Sequence, residues 1–251
     1  MATKLRILCL HGFTSNGTVH AHQVRRITSL LPEYEFLFPD GPHKVDIASQ
    51  MDLSRPGNQA WSDLVTSLSS SGHRAWWYAR DGNMINKETG GFYGLEESLA
   101  SIGELLRETG PVHAIWGFSQ GACFAGMLCA LFQDRLADHP LRQHLGAGAE
   151  VIVPKAGIIF SGFRARFEQY NSLYETAGIE IPTLHVMGEK DEAVRGERSQ
   201  QLIEVCSNME TLTHPGGHDI PKSVDDQRRI AQFLRKHVGE QGSGDKIQAS
   251  M

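Results

Sequence analysis

Apolar runs of strand length recur along this chain, and between most of them the apolar positions switch to helical spacing. Leu5 to Leu10, Tyr34 to Phe38, Val112 to Trp116, Ala156 to Phe160, Ile181 to Met187 and Met209 to Thr213 read as strands. Asn16 to Leu31 carries Val24, Ile27, Leu30 and Leu31 at helical spacing and stops at Pro32. Tyr93 to Glu108 places Leu95, Leu99, Ile102 and Leu106 on one stripe, and Gly110-Pro111 closes it. Ala122 to Leu131 is almost wholly apolar and of helix length. Arg195 to Cys206 also reads as a helix, and Pro221 opens the last one, with Val224, Ile230, Leu234 and Val238 facing inward. Six strands alternating with helices predict an α/β fold: a mostly parallel sheet of about six strands, covered by helices on both faces. In such sheets the chemistry sits in loops at the carboxyl ends of the strands.

Three stretches depart from this rhythm. Residues 39–92 have no clear period and carry Pro39-Asp40-Gly41-Pro42, Pro56-Gly57 and Ser69-Ser70-Ser71-Gly72. A long irregular segment with the adjacent aromatics Trp76, Trp77 and Tyr78 reads as an excursion near a functional site. These aromatics fit either local core packing or one wall of an apolar substrate pocket, with Phe118 and Phe163 as further pocket residues. Gln133 to Val153 reads as an exposed polar connection, and residues 239–251 as a flexible tail. Residues 1–238 are expected to form a single domain.

The densest chemical signal is Gly117-Phe118-Ser119-Gln120-Gly121, set between a predicted strand and a predicted helix. A serine on so sharp a turn needs small neighbours two residues to either side, because side chains there would strike the adjoining strand and helix. A serine hydroxyl is a weak nucleophile until a base takes its proton, and a neutral imidazole suits that task. A carboxylate must then fix the imidazole tautomer and stabilise its charged form. His218 and Asp191 each follow a predicted strand, so both can reach the serine. Glu189 is the nearest rival acid, while Asp219 is too close to His218 to face its ring. His113 and His185 lie inside strands, and His11 is expected to order its loop rather than act as base. The oxyanion of a tetrahedral intermediate needs preplaced N–H donors, here expected from the backbones of Phe13 and Gln120.

The 251 residues carry a formal net charge of −5, and no Lys/Arg cluster stands out, so nucleic acid and membrane surfaces are not expected partners. No apolar run reaches the 18 or so residues of a membrane span, and with the first strand opening directly after Met1 to Lys4 no leader is expected. Cys9, Cys123, Cys129 and Cys206 match no zinc or redox spacing and read as reduced, buried residues of a cytoplasmic protein. No metal or phosphate-loop motif is visible, so no cofactor is expected.

The chain resembles the FSH family of serine hydrolases. The resemblance rests on LCLHGFTSNG (Leu8 to Gly17), FPDGP (Phe38 to Pro42), RAWWYARD (Arg74 to Asp81) and YGLEESL (Tyr93 to Leu99). It continues through GPVHAIWGFSQGACFA (Gly110 to Ala125), IIFSGF (Ile158 to Phe163), IPTLHVMGEKD (Ile181 to Asp191) and HPGGHDIP (His214 to Pro221). It implies an α/β-hydrolase fold, no cofactor, and the same nucleophile, acid and base. The family includes thioesterases of fungal polyketide clusters and the human ovarian-cancer-associated hydrolase. The expected activity is therefore hydrolysis of acyl esters or thioesters through an acyl-serine. The aromatic 74–93 segment tips the expectation toward a thioesterase releasing a polyketide or similar acid from an acyl carrier protein. A carboxylesterase on short or medium acyl esters is the alternative. A protein deacylase, a lysophospholipase and a catalytically dead binding protein rank below it.

Overall fold

A computed structural model describes residues 4–78, 90–175 and 177–239. The strands are β1 (Arg6–Leu10), β2 (Glu35–Leu37), β3 (His43–Lys44), β4 (Arg74–Ala75), β5 (Ala114–Phe118), β6 (Ala156–Phe160), β7 (Thr183–Gly188) and β8 (Met209–His214). The helices are α1 (Gly17–Thr28), α2 (Ile47–Gln50), α3 (Pro56–Leu68), α4 (Leu95–Thr109), α5 (Gln120–Leu131), α6 (Gly196–Ile203) and α7 (Val224–Val238). Six strands form one sheet in the order β2-β1-β5-β6-β7-β8, and every neighbouring pair is parallel. The two short strands β3 and β4 pair antiparallel outside it.

The strand period of two builds both cores. Leu8, Leu10, Ile115 and Ile159 face the layer of α4 and α5. Ile7, Cys9, Trp116, Ile158, Phe160, Leu184 and Val186 face the layer of α1 and α7. Both faces are covered, which is why the central strands read as unbroken apolar runs. Helix α5 is buried along its whole length, so it shows no amphipathic stripe.

The structure corrects several expectations. The segment 39–92 is not irregular throughout, because it contains the thirteen-residue helix α3. Pro56 begins that helix rather than a turn, since its missing N–H costs nothing in the first turn. Residues 134–136 and 140–145 of the polar connection form short 3-10 helices, and Leu145 is buried. The last helix starts at Val224, capped by the Ser223 hydroxyl accepting from Asp226 N–H, so Val224 points outward and is 54% exposed. Ile230, Leu234 and Val238 are buried as expected. The tail expected beyond Gly239, and Ala79 to Asp81 of the RAWWYARD stretch, lie outside the described residues.

Close approach explains the second glycine of the turn. A Cβ on Gly121 would collide with the carbonyl oxygens of Leu10 and His11, which belong to β1 and its end. Backbone atoms of a central strand cannot yield. Gly121→Ala is therefore expected to lower unfolding free energy by at least about 2 kcal/mol, read from the denaturant midpoint. An unchanged midpoint would contradict this packing.

Candidate active site

The loops after β1, β5, β7 and β8 converge at the carboxyl edge of the sheet. Ser119 sits between β5 and α5 with φ 55° and ψ −115°, a backbone that a residue with a side chain avoids. Its own N–H donates to Phe160 O at 2.9 Å, which ties the turn to β6. A Cβ on Gly117 would strike the Gly121 carbonyl, so both glycines of the turn are required by contact.

His218 reaches the serine from the loop after β8. Its Nε2 lies 2.9 Å from Ser119 Oγ, and its Nδ1 lies 2.8 Å from Asp191 Oδ2. The carboxylate only accepts, so Nδ1 carries the proton and Nε2 accepts from the serine hydroxyl. Asp191 Oδ1 accepts from the N–H groups of Ala193 and Val194 at 3.0 and 2.8 Å. Burial pushes the Asp191 carboxyl up, but the bonds from His218 and the Val194 N–H outweigh it and hold it below its ordinary value. Asp191 thus stays ionised beside the His218 ring. Of the rival acids, Glu189 is exposed and Asp219 pairs with Lys222.

The loops that bear Asp191 and His218 are joined backbone to backbone. Glu189 N–H donates to His214 O, and Lys190 N–H donates to Gly216 O, at 2.9 and 3.0 Å. A Cβ on Gly188 would collide with the Gly217 carbonyl, so this seam closes only over glycine.

Buried His11 orders the loop after β1. Its Nε2 accepts from Gly41 N–H at 2.8 Å, which leaves Nδ1–H to donate to Gly12 O at 2.8 Å. Ser15 N–H donates to the same carbonyl at 3.2 Å. In a trans peptide the N–H points opposite to the C=O. Fixing Gly12 O therefore fixes the direction of the Phe13 N–H. Gln120 N–H lies in the first turn of α5, where it has no partner within the helix. Both backbones expected to hold an oxyanion thus border Ser119.

A cleft of about 580 Å³ opens beside Ser119 and His218. Phe13, Met51, Trp61, Phe118 and Ala193 give it apolar walls, and Ser15, Gln23 and Gln50 add polar groups. Of the five pocket residues expected from the sequence, only Phe118 lies on this cleft. Trp76 is fully buried against Phe124, with its Nε1–H donating to His11 O at 2.9 Å. Trp77 stacks on Phe92 with centroids 4.3 Å apart. Tyr78 packs on His43 and Tyr93, and Phe163 lies under the Arg198 guanidinium.

The Gln120 side chain draws the two tryptophans inward. Its Oε1 accepts from Trp76 N–H and its Nε2 donates to Trp77 O, both at 2.9 Å. Sequence reasoning assigned Gln120 a main-chain role alone and missed this bridge. It also missed Met51 and Trp61. The helical spacing of Trp61, Val65 and Leu68 after Pro56 was the available signal.

Among the described residues no three His, Cys, Asp or Glu side chains gather to hold a metal ion. No helix among them is long and apolar enough to cross a membrane.

A serine on a strand-to-helix turn, with Asp191 and His218 following in chain order over a parallel sheet, defines an α/β-hydrolase of the serine type. Residues 1–230 match the family described as serine hydrolase (FSH1), and the chain belongs to that family. It is 32% identical to esterase OVCA2 of Danio rerio over 241 residues, covering 94% of this chain and 98% of that one. It is 30% identical to esterase CG5412 of Drosophila melanogaster, covering 98% and 79% of the two chains. The crystal structure of Arabidopsis thaliana SOBER1 has the same fold, with a TM-score of 0.59, 18% identity and coverage of 94% and 99%.

Proposed function

We propose that the protein hydrolyses carboxylic esters of short- or medium-chain acids through an acyl-enzyme on Ser119, with His218 as base and Asp191 as its orienting acid. The observation that carries this reading is the unbroken chain from Ser119 Oγ to His218 Nε2, 2.9 Å, and from His218 Nδ1 to Asp191, 2.8 Å. Ser119 Oγ attacks the acyl carbon while His218 takes its proton. The Phe13 and Gln120 N–H groups hold the oxyanion. The carbon–oxygen bond to the leaving group breaks, and His218 returns the proton to the departing alcohol. A water then attacks the acyl-serine, again losing its proton to His218. The acid leaves, and Ser119 recovers its hydroxyl.

A thiol leaving group would follow the same steps, so the triad does not separate esters from thioesters. The expectation of a thioesterase releasing a polyketide from an acyl carrier protein used Trp76 and Trp77 as a long apolar wall. Both are core residues, and the relatives bear the name esterase, which supports the oxoester reading. Four buried, unpaired cysteines support a cytoplasmic setting. Matched acyl p-nitrophenyl esters and acyl-N-acetylcysteamine thioesters, over several chain lengths, test the choice. The expected result is a higher kcat/KM on the oxoesters. A preference for thioesters by roughly tenfold or more would restore carrier-bound substrates.

A further inference from the structure

Thr14 follows the proposed oxyanion donor Phe13 and has φ 61°, a left-handed backbone that a β-branched residue avoids. Something must hold it there. Its carbonyl accepts from His73 Nδ1–H at 2.7 Å and from Trp61 Nε1–H at 3.2 Å. The same indole N–H reaches Thr14 Oγ1 at 3.1 Å, and that hydroxyl donates to Phe13 O at 2.6 Å. His73 Nε2 in turn faces the hydroxyl of Ser62, the neighbour of Trp61 on α3, at 3.3 Å. One helix therefore holds the turn twice, directly and through His73. Trp61 is also a wall of the cleft beside Ser119.

We infer that Trp61 is a positioning and specificity-determining residue: its N–H keeps the Phe13–Thr14 turn in register with the oxyanion, while its ring limits what the cleft admits. This rests on the reading of Phe13 as an oxyanion donor. The two roles use different parts of one side chain, so they can be separated. Trp61→Phe keeps a ring in the cleft and removes the N–H. Trp61→Ala removes both.

The test measures kcat and KM on p-nitrophenyl esters with acyl chains of two to ten carbons. It also measures the inhibition constant of a trifluoromethyl ketone, whose adduct with Ser119 carries an oxyanion. Removing an oxyanion donor outright costs about 10²–10³-fold in kcat, and a misaimed donor costs less. Trp61→Phe is therefore expected to lower kcat about tenfold, with KM within about twofold, and to weaken the trifluoromethyl ketone by about the same tenfold. Trp61→Ala is expected to show that loss and, in addition, to shift the preferred acyl chain toward greater length. Turnover by the wild type that disappears in Ser119→Ala supports the underlying reading on its own. With that in place, Trp61→Phe equal to wild type in kcat and in inhibitor binding overturns the positioning role. An unchanged chain-length profile in Trp61→Ala overturns the specificity role. A fall in melting temperature alone, with both kinetic readouts unmoved, overturns the inference as a whole.

Discussion

Ser119→Ala is expected to lower kcat by about 10⁵–10⁶-fold, and His218→Ala by nearly as much. On the proposed mechanism the three groups act as one unit, because the hydroxyl is activated only while the imidazole accepts its proton and Asp191 holds the ring. The double variant is therefore expected to be little slower than either single one. Asp191→Asn keeps the shape but favours the wrong imidazole tautomer, and is expected to cost about 10⁴-fold. Melting temperatures close to wild type would assign these losses to chemistry. Steady-state ester hydrolysis on purified variants decides the matter. Turnover by Ser119→Ala within roughly a hundredfold of wild type would exclude Ser119 as the nucleophile.

Acid is expected to unfold the protein well before its carboxylates are protonated. Three histidines are buried as neutral rings. Burial pushes His11 down to about 4, His20 to about 3 and His185 to about 4, from an ordinary value near 6.5. Two are locked neutral by what they accept: His11 Nε2 takes Gly41 N–H, and His20 Nε2 takes Trp116 Nε1–H at 3.2 Å. Below about pH 6.5 the unfolded chain binds protons that the native rings refuse. Stability is then complete above about pH 6.5 and falls as pH drops toward 4, by about 1.4 kcal/mol per pH unit for each ring. From about pH 7 to pH 5 the three together remove about 5 kcal/mol, comparable to the whole stability of a typical domain. Denaturant unfolding at several pH values across that interval measures this. A loss under about 1 kcal/mol over that range would mean that these rings are protonated in the native state.

Much of the frame was legible because it is written locally. A strand buried on both faces needs an apolar run, and a nucleophile turn needs its two glycines. The six strands, Ser119, and the loops bearing Asp191 and His218 all follow from such short patterns. What the sequence hid was decided by distant partners. Trp76 and Trp77 look alike whether they line a pocket or fill a core, and the choice is made by Gln120, which lies far along the chain on α5. Helix α3 was obscured by Pro56-Gly57, which reads as a turn until the first-turn position of the proline is seen. Val224 was misplaced because Pro221 suggested an earlier helix start.

The seam between the acid and base loops has a consequence for how the protein becomes active during folding. Ser119, Asp191 and His218 stand at the ends of β5, β7 and β8, and β6 separates the first from the others. Their alignment depends on pairings between segments dozens of residues apart, which are slow to form because long loops must close first. The backbone bonds between residues 189–190 and 214–216 can form only after β7 and β8 have met. Enzymatic activity is thus expected to be the last property to appear on refolding, after helix content and tryptophan burial. On the proposed mechanism, a nascent chain still lacking its final strand is expected to lack the base that activates Ser119.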